Sequence, residues 1–335
     1  MRKSEAERTA AVAAALALFV LLAPAAVIRP RQTAREERET RVETAAAGDT
    51  RTVRVQKGER VEEMALSDYL FGVLAAEMPA SFEEEALKAQ CVAARTYTLY
   101  KIENGSNHAP DADICTDPGC CQAYREEAEA REEWGAEAEA YAQKLRGAIA
   151  ETADEVILYE GAPILAAFHA SCAGVTRAAG EVWAEDLPYL RPVSSPEEGA
   201  EIPNYYSREE FTLEEFRQKI GAACPNAVLG GGAEGWLRDA VTDAGGSVET
   251  VRVGGVTLKG SRLRAILGLR SACFTWAIED GKIVFFVTGS GHGVGMSQYG
   301  AREMARQGAD YRTILTHYYT GVRVERMPFT KGGET

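Results

Sequence analysis

The first chemistry in the chain comes from one acid in an apolar stretch. In Tyr69-Leu-Phe-Gly-Val-Leu-Ala-Ala-Glu-Met-Pro, a spacing of 3.6 residues per turn puts Leu70, Val73, Leu74 and Glu77 on one stripe of a helix. A carboxyl group on the face that should be buried pays desolvation in its charged form. Its pKa rises, which suits a general acid working near neutral pH. The competing reading is structural: a buried glutamate satisfied by a neighbouring cation, with Arg95 on the following helix as the partner. Pattern alone leaves both open.

A second group is His108, Cys115, Cys120 and Cys121. Thiolates and an imidazole on one short loop suit tetrahedral zinc, and a Cys3His set fills all four positions, as structural sites do. Adjacent cysteines rarely share one ion, so Cys120 is also read as a spectator or as half of a disulfide with Cys115; a Cys115–Cys121 disulfide is the other alternative. No His-Glu-x-x-His helix is present, so the metal reads as a staple rather than as the activator of a water. Seven cysteines cannot all pair within one exported chain.

The third group is Gly289-Ser-Gly-His-Gly-Val-Gly-Met-Ser-Gln-Tyr-Gly. Its spacing departs from the dinucleotide fingerprint and it lacks a phosphate-loop lysine. His292, Ser297, Gln298 and Tyr299 instead offer neutral polar groups suited to hydroxyls and acetamides. A nucleophilic triad is weakly supported: His169 lies near Ser171 and Cys172, but no G-x-S-x-G elbow exists. Cys91, between Ala89 and Ala93, reads as packing, and His317 beside Tyr318 and Tyr319 as core or cleft wall.

These groups need elements to hold them. Val53 to Met64 reads as a strand, Tyr69 to Met78 as a helix stopped by Pro79, and Ser81-Phe-Glu-Glu as a capping box opening a helix to about Ile102. Residues 123–153 read as one long acidic helix with a solvated face. Val156–Tyr159 with Ala162–Ala170, and Val248–Val253 with Val256–Leu258, read as hairpins. Lys282–Thr288 is a last strand feeding the glycine-rich loop and a helix from about Ser297 to Gln307. Helices followed by a mostly β half predict an α+β class, one elongated helical-plus-antiparallel-sheet region over residues 53–328.

Upstream, Thr9 to Ile28 runs without a charge, long enough to cross a bilayer core of ~30 Å. Arg2, Lys3 and Arg8 precede it. Residues 1–30 therefore read as a cytoplasmic stub and transmembrane signal anchor, with a cleaved signal peptide as the alternative, and residues 31–52 as a linker. Both alternatives put the remaining chain on the extracytoplasmic face. Apolar content of 46% and charged content of 26% are globular values, and a net charge of −13 argues against a nucleic-acid partner. A neutral polysaccharide remains compatible, because sugars are held by hydrogen bonds and ring stacking.

Three blocks carry a resemblance: Gly72 to Phe82, Glu85 to Tyr97 and Gly291 to Ala301. With Phe168 to Thr176, Pro188 to Val193 and Ile314 to Tyr319 in support, they resemble the stage II sporulation protein D family, which includes amidase enhancers. The resemblance implies a lytic transglycosylase that cleaves peptide-stripped peptidoglycan strands to 1,6-anhydro-muramoyl ends during engulfment. Its implied partners are a cell-wall amidase and the membrane sporulation proteins named stage II sporulation proteins P and M. Glu77 falls on the family's catalytic glutamate, and Arg95, His169 and Ser171 join His292, Ser297, Gln298 and Tyr299 as expected substrate-binding residues. The zinc-binding members resemble this chain at His108, Cys115, Cys120 and Cys121, where one position is more often His. Cys172 and Ala173 stand where Ser and Gly are common. A non-catalytic glycan-binding enhancer of an amidase is the rival function, and a zinc hydrolase the third.

Overall fold

Alternation starts the described chain. In the computed structural model, which describes residues 51–105, 109–197 and 199–327, Val53 and Val55 are buried while Thr52 and Arg54 are exposed, so Thr52–Lys57 forms a strand, β1. It turns at Gly58 and pairs antiparallel with β2, Arg60–Ala65. The helix α1 follows at once, Leu66–Glu77, with Leu66, Tyr69, Leu70, Val73 and Leu74 fully buried. It stops because Pro79 drives Met78 into an extended conformation. The long helix α2, Glu84–Asn104, is buried from Ala86 to Thr96 on nearly every face except at Lys88 and forms the centre of the fold.

The predicted single helix at 123–153 is two: α3, Glu127–Trp134, and α4, Ala138–Glu151, broken at Gly135, whose φ of 54° is left-handed. Between α2 and α3 the two-residue strand β3, Ile114–Cys115, runs parallel to β1. Then come β4, Glu155–Tyr159, β5, Ala162–Pro163, β6, Phe168–His169, and a short helix α5, Ala179–Val182. The next stretch alternates β7, Tyr206–Thr212; α6, Leu213–Ala223; β8, Leu237–Thr242; β9, Val248–Val253; β10, Val256–Lys259; α7, Gly260–Leu267; β11, Phe274–Glu279; and β12, Lys282–Thr288. The chain closes with β13, Met296–Ser297; α8, Gln298–Arg306; α9, Tyr311–Tyr318; and β14, Arg323–Arg326.

This corrects the expected class. The molecule is a mixed α/β fold with several small sheets, ordered β2-β1-β3, β10-β9-β8, β11-β12-β7, β13-β6 and β14-β4-β5. The pairings β1 with β3 and β6 with β13 are parallel. Strands of two residues are too short for a period-2 pattern to register, and β14 returns from the far end of the chain to pair with β4. The membrane-anchored, extracytoplasmic placement is corrected as well: among the described residues no helix is long and apolar enough to cross a membrane. Thr9–Ile28, on which that expectation rested, lies outside the described residues.

Two cores result. The larger gathers β1, α1, α2, α4, β4 and the last two helices around residues such as Leu70, Leu87, Ile157 and Tyr319. The smaller packs Phe216, Trp236, Val251, Leu263 and Phe285 between α6, α7 and the sheets of β8 to β12.

Candidate active site

Glu77 is the last residue of α1, so its carboxyl sits half-buried at the end of the helix that the Leu70, Val73 and Leu74 stripe anchors. Its Oε1 accepts the Ala123 N–H at 2.7 Å. Burial pushes its pKa above the usual glutamate value; the hydrogen bonds from the Ala123 backbone and the Gln298 side chain pull the other way without cancelling the rise. The negative end of the helix dipole acts in the same direction as burial. Neither donor is charged, and no second carboxylate enters the forces on Glu77 among the described residues.

The loop that supplies Ala123 is zipped onto α1. Arg125 N–H donates to the Gly72 carbonyl at 3.0 Å, Tyr124 stacks on Tyr69 at 5.9 Å, and buried Gln122 donates to the Tyr69 hydroxyl and to Thr98. Position 72 needs glycine for this: a Cβ there would lie 2.2 Å from the Tyr124 ring. Tyr97, on α2, reaches the Cys120 carbonyl at 3.3 Å and also lies within the field of Glu77.

Immediately before this loop is the cysteine cluster. The Sγ atoms of Cys115, Cys120 and Cys121 all lie within 4.8 Å of one another, and Cys120 and Cys121 are 3.8 Å apart. Tetrahedral zinc with bonds of ~2.3 Å separates its sulfurs by ~3.8 Å, so the donor set fits that ion and the adjacent pair fits it together. No disulfide joins any two described cysteines. His108 lies outside the described residues; Ala109, its neighbour in the chain, lines the same pocket as Cys115 and Cys120.

Gln298 comes from the other half of the chain. Ser297 caps α8, its Oγ accepting the Gly300 N–H at 3.3 Å, and Gln298 opens the helix. Gln298 is buried and donates to Gln90 Oε1 at 3.4 Å. Tyr299 turns aside to pack edge-on against Phe82 at 5.0 Å. The glycine-rich loop is held by the bridge between Ser171 and Ser290 and by β6 against β13. Gly295, at φ 73°, lets the chain pass Ala167, whose carbonyl would be 2.1 Å from a Cβ.

His169 and His292 face each other at 5.6 Å between ring centroids, with Trp183 5.2 Å beyond His292. Burial lowers the His169 pKa to about 3 and the His292 pKa to about 4, with the nearby charges of His292 and Arg264 respectively adding to the fall. Both rings are neutral at neutral pH. His292 Nδ1 accepts the Val294 N–H at 3.1 Å, so the proton is on its other nitrogen. Ser171 is buried with its hydroxyl unpartnered and lines a cavity of about 10 Å³ together with Arg177 and His292.

Arg95 is placed elsewhere. It is fully buried, and Nη1 donates to the Thr152 and Glu155 carbonyls at 2.8 and 3.2 Å. It satisfies the orphan carbonyls at the end of α4 and reaches neither Glu77 nor an open surface, which corrects both sequence readings of it. Glu197, Gln90 and Tyr97 gather at the site without having been singled out from sequence. Gln90 and Tyr97 lie inside the Glu85 to Tyr97 block, but Glu197 follows a loop whose spacing carries no periodic signal.

Residues 54–159 match the family model described as stage II sporulation protein. The chain is 37% identical over 265 residues to stage II sporulation protein D of Bacillus subtilis and, equally, to that of Bacillus amyloliquefaciens, covering 79% of this chain and 75% of each relative. It belongs to the stage II sporulation protein D family. It is also similar, at 28% identity over 301 residues, to a Bacillus subtilis protein named amidase enhancer, covering 75% of this chain and 39% of that one.

Proposed function

We propose that the protein is a lytic transglycosylase acting on peptide-stripped glycan strands of the bacterial cell wall, with Glu77 as its one acid/base. The observation that carries this reading is the solitary carboxyl: half-buried, raised in pKa, and held by the Ala123 N–H with the neutral Gln298 amide nearby. Most glycosidases need two carboxylates, one to donate a proton and one to activate water or attack carbon. A single acid suffices when the sugar supplies its own nucleophile. Protonated Glu77 donates to the glycosidic oxygen as the C1–O bond breaks. The resulting carboxylate then removes the proton of the C6 hydroxyl, whose oxygen bonds to C1. The product is a 1,6-anhydro ring and Glu77 regains its proton, with no water consumed.

The donors serve the second half of this cycle. Ala123 N–H and Gln298 stabilise the carboxylate that would otherwise be stranded in an apolar setting, and they aim it. His169 and His292, neutral at working pH, bind hydroxyl and acetamide groups rather than move protons.

Cys115, Cys120 and Cys121, with His108, hold a structural zinc in this reading. When bound, the ion would supply cross-linking and no chemistry; Ala123, two residues beyond Cys121, is the group whose placement that cross-link secures.

The amidase enhancer relative favours a second reading, a glycan-binding protein that works by assisting an amidase. Incubation of purified wild-type and Glu77→Ala protein with peptide-free glycan separates the two. Anhydro-muramoyl ends from the wild type alone, with glycan binding kept by both, support catalysis. Equal binding with no products from either protein supports the enhancer.

A further inference from the structure

Outside the donors on Glu77, one acid collects an unusual set of partners. Glu197 lies half-buried on the loop before β7. Its Oε1 accepts the Cys172 N–H at 2.7 Å, and its Oε2 accepts the Cys172 thiol at 3.1 Å. Ser297 Oγ donates a hydrogen bond to Oε1. Burial and the charge of Glu197 both push the Cys172 thiol pKa up, so the sulfur keeps its proton and donates. All three groups are donors, and only an ionised carboxylate has acceptors alone to offer them. The hydroxyls of Tyr205 and Tyr318 lie in the same field; Tyr205 donates to the Cys172 carbonyl at 2.9 Å, and Tyr318 pairs with Ser195 at 2.6 Å.

These partners matter because of where they sit. Cys172 follows Ser171 and the strand β6; Ser297 ends β13, caps α8 and immediately precedes Gln298. One carboxylate therefore ties both sides of the parallel β6–β13 pair and fixes the first turn of α8. There is little slack behind it, since a Cβ on Gly300 would meet Ser195 Oγ and the Tyr318 hydroxyl at 2.1 Å.

We propose that Glu197 is a positioning residue: through Ser297 it holds the start of α8, and with it the place of Gln298 relative to Glu77. The proposal rests on Glu77 being the acid/base. Glu197 touches no reacting atom in this scheme; it acts on where Gln298 stands.

The test is steady-state cleavage of peptide-free glycan by Glu197→Gln, Ser297→Ala and the double variant, with glycan affinity and pH profile measured alongside. Gln keeps the shape but turns an NH2 group toward a donor. Each single variant should lose about 10-fold or more in kcat with KM within twofold. The basic limb of the pH profile should move to higher pH, because a donor to the Glu77 carboxylate has been withdrawn. The double variant should be no worse than the worse single, as expected for one shared contact. Should Glu197→Gln fail to fold, Ser297→Ala carries the same two readouts. A folded variant with unaltered kcat, or one with reduced kcat but an unmoved basic limb, overturns the proposal. If Glu77→Gln is inactive while both of these variants keep full activity, the positioning role alone fails. If Glu77→Gln stays active, the acid/base reading fails with it.

Discussion

The two cores of this molecule are built on different principles. The smaller one, around Phe216, Trp236 and Phe285, is an aromatic and aliphatic interior whose rings stack or meet edge-on at about 6 Å. The larger one buries Gln90, Arg95, Gln122, Glu155, His169, Ser297 and Gln298 among its hydrocarbons. A buried polar group is stabilising only when its partners are in place, and it fixes geometry when they are. Apolar packing in the smaller core gives stability; the polar interior of the larger one holds a carboxyl, an amide and two imidazoles in register. The smaller core includes none of the residues gathered around Glu77, so its packing can be disturbed apart from the chemistry.

Mutations should divide along that line. The largest effect is on turnover: Glu77→Gln should lower cleavage of peptide-free glycan by about 10²–10⁴-fold, read from product release, with no loss of thermal stability. Phe285→Ala, in the smaller core, should do the reverse. It should cost about 3–5 kcal/mol in denaturant unfolding, while the fraction still folded cleaves glycan at the wild-type rate. A comparable loss of specific activity in folded Phe285→Ala protein would show that the two cores are not separable.

Arg95→Leu should be intermediate, costing about 1–3 kcal/mol in denaturant unfolding because carbonyls at the end of α4 lose their donors, with KM for glycan unmoved. A raised KM would return Arg95 to the substrate. Removal of metal by a chelator should lower Tm and loosen the Cys115–Cys121 loop, seen as faster amide exchange at Ala123. Loss of turnover at unchanged Tm and exchange would instead favour a catalytic ion.

The smallest effect concerns pH. The folded-state pKa of Glu77 is raised, so the folded protein binds its proton more tightly than the unfolded chain. Stability from this group is full below the unfolded value and is lost as pH rises through the folded value. Glu77→Gln should therefore raise Tm at neutral pH and leave it unchanged near pH 4, following the usual opposition between stability and function. An equal change at both pH values would contradict the assigned shift.

The residues behind this comparison were unequally legible in the sequence. The helix that ends in Glu77 is readable because Pro79 marks its end, but its burial runs unbroken from Tyr69 to Ala75 rather than along the one expected stripe. Also readable were β12 and the helix after the glycine-rich turn, whose bounds differ from expectation by a residue at most. Hairpins were readable where a glycine turn joins two alternating runs, as at β9 and β10. The parallel pairs β1–β3 and β6–β13 were not, since two residues carry no period and their partners lie far along the chain. Gly135 is a single glycine inside a continuous acidic run and gives no stop signal of its own, yet there the chain breaks into α3 and α4. Arg95 looked like a partner for Glu77 by proximity in sequence, yet its position on α2 turns it toward the end of α4. Glu197 was invisible for a similar reason: its role comes from Cys172 and Ser297, which only the folded chain brings to it.

The central claim, that one carboxyl both gives and retrieves the proton, has a direct measurement. Peptide-free glycan is cleaved in ¹⁸O-labelled water and the new ends are analysed by mass spectrometry. The account predicts 1,6-anhydro-muramoyl ends without ¹⁸O from the wild type and no new ends from Glu77→Gln. Reducing ends that carry ¹⁸O, or anhydro ends formed undiminished by Glu77→Gln, would contradict it.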